Sequence, residues 1–157
     1  MMMDLQHLRG RKVSRIRRIY FVYQGTVKTH EGALELRFQD GSFLLLNTHT
    51  DWTLSIEQEE WSDPFAPALT KEKGEFIRDA GKWSAFDRSH TVPAHFLLGR
   101  TVSAFQEIRD EIGQIMGAIL EFDEFAVKAY SYAGETRVEW NGPDFTFCDV
   151  PSSLAPR

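Results

Sequence analysis

His30, Glu31, His49 and Asp51 bring two imidazoles and two carboxylates close in sequence, a donor set that zinc or manganese accepts when a fold gathers it. With Asp51 as an acid/base partner, they define one reading of the chain, a small metal-dependent hydrolase using His30, His49 and Asp51. Their spacing matches no metal motif, however, and both segments look turn-like, so the residues are read as exposed loop groups and no metal is assigned. Carboxylates cluster three more times, at Glu57, Glu59, Glu60 and Asp63, at Glu107, Asp110 and Glu111, and at Glu121, Asp123 and Glu124. Glycoside or phosphoryl chemistry needs paired carboxylates held across a cleft. Glu57 and Glu59 instead share one side of an expected strand, and the others fall in expected turns. They read as a solvated acidic surface.

Nucleophile signatures are missing as well. There is no G-x-S-x-G elbow, no phosphate-cradling glycine loop, and no histidine local to Cys148. No catalytic residue and no cofactor is therefore assigned. The remaining pattern is aromatic residues beside acids: Trp52 and Trp61 bracket the acidic segment, and Tyr130 and Tyr132 occupy the matching part of the second half. Rigid aromatics among charges suit protein-binding surfaces. The candidate partner-binding strip is Glu57, Glu59, Trp61 and Asp63, with Tyr130 and Tyr132.

These residues sit on a chain of 157 residues, long enough for one domain with a real core. Hydrophobic residues at 42% and aromatics at 13% exclude a disordered chain. No apolar run approaches the length needed to cross a bilayer, the N-terminus lacks the apolar segment of a secretory signal, and Cys148 is the only cysteine. A cytoplasmic protein is expected. The net charge of −5 is uneven: residues 1–20 hold Arg9, Arg11, Lys12, Arg15, Arg17 and Arg18 against Asp4 alone, and the rest is strongly acidic. An acidic body repels phosphate backbones and attracts cationic partners. A nucleic-acid arm over Arg9–Arg18 is the competing reading of the basic start. The arginines alternate with Val13, Ile16 and Ile19, so they are expected on the wet face of a strand.

Gly10 opens "GRKVS" and Gly99 opens "GRTVS", a shift of 89, and residues 33–56 lie over 117–140 at a shift of 84. The first half thus holds five extra residues between its first and second strands. Each unit, about 10–60 and 99–142, reads as a three-stranded meander, joined by a loop-rich connector with a short helix from Thr70 (about 61–98). The expected fold is mainly β (α+β): two pseudo-repeated three-stranded antiparallel meanders packed together as a single domain. Leu34, Leu36 and Phe38 alternate with Glu35, Arg37 and Gln39, the period of a half-buried strand. Asp40-Gly41 signals a two-residue type I′ hairpin, which would place Leu36 opposite Leu45 and turn Leu44 and Leu46 to the far face. In the second unit Glu124-Phe125 occupies that place, so another turn or register is expected there. Val102, Phe105, Ile108, Ile112 and Ile115 recur at helical spacing, yet Gly113 and the β-rich 16–24 favour strands for the first element of each unit. Trp83 and Phe86 are expected to plug the junction between the halves, and 141–150 to add a last short strand.

The glycine-plus-basic start, the "L-x-L-x-F-x-D-G" hairpin, a tryptophan-bearing spacer and a second "G-A-x-L-x-F" unit resemble small bacterial immunity proteins of polymorphic toxin systems. The resemblance spans about residues 10–140 and rests on strand-and-turn grammar. It implies a non-catalytic inhibitor that binds one toxin domain, with a basic protein as partner and neither nucleic acid nor membrane. The acidic body fits such a partner independently.

Overall fold

The structure, a computed structural model, describes residues 5–65, 70–143 and 145–148. The first half forms β1 (Val13–Tyr23), β2 (Thr26–Phe38), β3 (Phe43–Thr48) and β4 (Leu54–Glu57). The connector supplies α1 (Lys71–Ala80) and β5 (Lys82–Asp87). The second half forms β6 (Ala104–Arg109), β7 (Ile115–Phe122), β8 (Phe125–Tyr132), β9 (Glu135–Gly142) and β10 (Phe145–Cys148). Two five-stranded antiparallel sheets result, ordered β4-β3-β2-β1-β5 and β10-β9-β8-β7-β6. The mainly β architecture is as expected, but each meander has four strands (β1–β4 and β6–β9) and not three, because the first element of each unit pairs in sequence with the hairpin that follows it; one edge strand then completes each sheet, β5 on β1 and β10 on β9. No helix among the described residues is long and apolar enough to cross a membrane.

The two "GR-V-S" segments pair with each other. Lys12 and Thr101 form an antiparallel bridge. Around it Gly10 N–H donates to Val102 C=O (2.8 Å) and Gly99 N–H to Val13 C=O (2.9 Å), while Val13 and Val102 N–H donate to Arg100 and Arg11 C=O (both 2.9 Å). Every bond has its mate at a shift of 89, so a pseudo-twofold axis passes through this bridge. The correspondence starts further upstream than the glycines: the 3-10 turns Leu5–Leu8 and Ala94–Leu97 are also 89 apart, and each buries its first and last residue. Gly10 and Gly99 both have left-handed backbone (φ 88° and 77°), which releases the chain from each turn into the seam.

The core lies between the sheets. Ile16, Leu34, Leu36, Phe38, Leu44 and Leu46 face Leu120, Phe122, Val127, Ala129 and Val138, all fully buried. The first hairpin departs from expectation by one residue. Phe38 C=O accepts from Gly41 N–H (3.0 Å) and Phe38 N–H donates to Ser42 C=O (2.9 Å), a three-residue loop with Gly41 at φ 86° and Asp40 outside the left-handed region. Leu36 therefore pairs with Leu44, and Glu35 with Leu45. A one-residue slip exchanges the faces, so Leu44 and Leu46 enter the core and Leu45 goes outward. In the second half Phe122 pairs with Phe125, and Asp123 takes the positive φ (58°) that Phe125 would resist. The 84-residue shift thus drops by one at this turn.

The first element of each unit is a strand. The helical spacing in 102–115 is accidental: Phe105 faces the core, while Ile112 is 79% exposed in the turn closed by Gly113. The short helix begins, as expected, at Thr70, whose Oγ1 accepts from Lys73 N–H (3.1 Å). Trp83 and Phe86 are not a plug between the halves. They belong to β5, where Trp83 packs edge-on against Phe21 (centroids 5.4 Å) and Phe86 against Tyr20 (5.7 Å).

Candidate functional site

The site residues are positioned by a buried charge. Glu35 points away from the core, beneath the segment that follows β4, and has no exposed surface. Arg17 grips its carboxylate with two bonds (Nε 2.6 Å, Nη2 2.8 Å), Arg15 Nη2 donates at 3.2 Å, and Trp61 backbone N–H donates to Oε2 at 2.8 Å. Burial pushes this carboxyl's pKa up. The Arg17 hydrogen bonds, the Trp61 N–H and the charges of Arg17 and Arg15 outweigh that effect and hold it below the ordinary glutamate value. Arg17 Nη2 also donates to Trp61 C=O (3.2 Å), so Trp61 is fixed through both of its backbone groups. Its side chain then lies on Ile19, Ala33 and Leu45, the small apolar cluster on this outer face.

The arginines of β1 are therefore not a wet face. Arg15 and Arg17 neutralise Glu35, and Arg18 turns toward the core, 2% exposed. Arg18 donates to Gly32 C=O (3.0 Å) and Ala33 C=O (3.3 Å) and stands 5.1 Å from the Tyr20 ring. Those two carbonyls belong to a bulge. Between the pairs Ile19–Ala33 and Phe21–Lys28, residues 29–32 of β2 oppose Tyr20 alone. Gly32 is required at the inner end: its φ is 144°, and an added Cβ would fall 1.9 Å from Ile19 O. Repeat correspondence holds through Ile19/Ala33 and Ile108/Gly117, so the five extra residues of the first half build the hairpin end beyond this point.

That extension opens a groove. A cavity of about 310 Å³ is lined by Ile19, Gly32 and Ala33 on its floor, by Trp61 and Pro64, by Trp83 of β5, and by Gly134–Thr136 at the start of β9. Asn47 and Thr48 complete it, and Thr48 Oγ1 lies 2.9 Å from Thr136 Oγ1, joining the two sheets. A second cavity of about 320 Å³ adjoins it, sharing Trp83 and Glu135 and adding Phe21, Lys28 and Glu31. The groove thus collects the features in which the halves differ: the hairpin extension, the connector and the β8–β9 turn. Glu135 is the only charged side chain among the described residues lining the first cavity. Trp52 seals the rim with its indole against Gly134, at a left-handed φ of 69° that is strained for an aromatic residue.

The structure scatters part of the expected strip and gathers part of it. Trp61 walls the groove. Tyr132 pairs with Glu135, is 56% exposed, and carries the Arg137 guanidinium 4.5 Å from its ring. Tyr130 lies further along the same outer face, opposite Gly117. Glu57 ends β4, accepting a bond from Ser55 Oγ (2.9 Å), and Glu59 is exposed just beyond it. Asp63 is bound by Lys82 Nζ and accepts from Phe65 N–H (2.8 Å); the Lys82 bond is the main cause of its lowered pKa. It therefore straps the Trp61 segment to β5. Glu135 escaped sequence reasoning and Trp83 was read there as a plug, not as a groove wall, although the five-residue excess marked where the symmetry would break.

Of the donors in the metal reading, Asp51 is engaged locally and Glu31 lies 3.9 Å from the Arg137 guanidinium of the second half. Asp51 accepts from Thr53 N–H (3.0 Å) and Oγ1 (2.6 Å), bonds that lower its pKa, the hydroxyl bond first. The His30 side chain lies outside the described part. Among the described residues no three His, Cys, Asp or Glu side chains are grouped to hold a metal ion. Comparison with protein-family models, with curated proteins and with solved structures finds no match to this chain.

Proposed function

We propose that the protein is a non-catalytic binding protein that neutralises a basic toxin domain of bacterial origin in the manner of an immunity protein, in the cytoplasm. The observation that carries this reading is a cluster of exposed aromatics at the groove: Trp83 (42% exposed) lines the cavity, Trp52 (60%) lies against its lining residue Gly134, and Tyr132 (56%) pairs with its lining residue Glu135. Large rigid aromatics that stay substantially exposed are the residue types that anchor protein interfaces. A strained φ at Trp52 adds to this, since strain persists where surrounding structure enforces it, often at binding sites. The excess negative charge outside residues 1–20 supports a cationic partner, whose approach it accelerates. The acidic strip at Glu57 and Glu59 leads from the end of β4 toward Trp61.

The test is capture from native cell lysate followed by association kinetics. A stoichiometric basic protein is expected, whose toxic activity the chain suppresses. The double variant Glu57→Lys/Glu59→Lys should associate several-fold more slowly, with the larger deficit at low salt. A chain that captures no basic protein, or that turns over a substrate on its own, would overturn the reading.

A further inference from the structure

We infer that the cavity between Trp61 and Trp83 receives an arginine side chain of the partner, its guanidinium lying against indole and its charge met by Glu135. The assignment rests on the reading of the protein as a binder of a basic protein. Three observations carry it. The floor, made by Ile19, Ala33 and the bare backbone of Gly32, is apolar and suits the methylene stem of a long side chain. Two tryptophans line the walls, and tryptophan is the best aromatic partner for a cation. Glu135 supplies the only charge among the described residues lining this cavity, Lys28 and Glu31 belonging to the lining of the adjoining one, while Asn47 and Thr48 offer further oxygen acceptors. A planar guanidinium combines stacking with several directed N–H donors, which a compact ammonium does not. A volume of about 310 Å³ admits one such side chain.

Gly32 fixes the bulge beneath the floor: a Cβ there would fall 1.9 Å from the Ile19 carbonyl oxygen and 3.4 Å from the Tyr20 ring, so only glycine lets β2 pass this close to β1. Where the second half has Ile108 and Gly117 in the equivalent pair, Tyr130 lies opposite Gly117 instead. The first half has no aromatic residue at that place, and Asn47 lines the cavity there.

The experiment uses the full chain, labelled with nitrogen-15, titrated with a capped Gly-Arg-Gly peptide and separately with its citrulline analogue, neutral and nearly isosteric. Saturable shifts of two tryptophan indole N–H signals, lost in Trp61→Phe and Trp83→Phe respectively, are expected with the arginine peptide alone. Glu135→Gln, a shape-conserving change at an exposed position, should weaken binding at least about threefold, as should added salt. Equal response to citrulline, or indole signals unmoved by arginine, would overturn the assignment. The two readings fail separately. A partner that binds wild type, Trp83→Phe and Glu135→Gln equally removes the arginine pocket and leaves the binding function. Arginine-selective shifts in a chain that neutralises no basic protein keep the pocket and remove the function.

Discussion

A carboxylate without exposed surface is tolerated only when its lost hydration is replaced bond for bond, and Glu35 meets that condition with two arginines and the Trp61 N–H. Removing one partner of such a group leaves the other charges buried and uncompensated. Glu35→Gln should therefore destabilise the protein by about 3–5 kcal/mol, read by urea unfolding at neutral pH. A loss within experimental error would show that Arg15 and Arg17 find solvent easily. The pH dependence follows from the lowered folded pKa. Stability from this carboxylate is complete above the unfolded value near 4.5 and disappears as pH falls through the lower folded value. Wild type should lose stability in that acid window, and Glu35→Gln should show a flatter slope there. This residue was half legible in sequence. Its alternation with Leu34 and Leu36 placed it on the outer face, but nothing local announced that Trp61, distant in the chain, would close over it.

Strand existence was legible at the element scale because period-two patterns and turn residues are local; register was less so. Asp40-Gly41 fits two hairpins, a two-residue loop with both residues left-handed and a three-residue loop with only the glycine so. The second leaves Asp40 unstrained and puts Leu44 and Leu46 inside, and core burial decides between them. β5 escaped because "KWSAFD" has no clean alternation: it lies across the extended end of β1 with one face on the Trp61 cluster. The helix α1 was legible from its cap, and its behaviour should be distinct. It buries none of its residues, so tertiary packing contributes little to it. Its amides should exchange with solvent well before those of β1–β3 and β7–β9. Thr70→Ala should accelerate them further, by the roughly 1 kcal/mol of a lost cap, without moving the global unfolding midpoint. A shifted midpoint would place the helix inside the cooperative unit.

The molecule as a whole is organised by the seam at Lys12 and Thr101, where two copies of one pattern exchange equivalent hydrogen bonds and share a single core. Recurrence of "GR-V-S" made the repeat visible, while its upstream extent was hidden because "LQHL" and "AHFL" share only their final leucine. Their structural equivalence has a consequence for the basic start. Leu5 and Leu8 are core residues, so removal of residues 1–12 would strip the core and one side of the seam, not merely a charged arm. Leu8 and Leu97 are related by the axis and are 0% and 2% exposed. Each truncation to alanine should cost about 2–5 kcal/mol. Because both leucines serve one core, each single variant should still unfold in one transition, with tryptophan fluorescence and far-ultraviolet circular dichroism coincident. Two transitions in Leu97→Ala, with the first half melting independently, would mean that the halves are separate folding units and that the seam merely joins them.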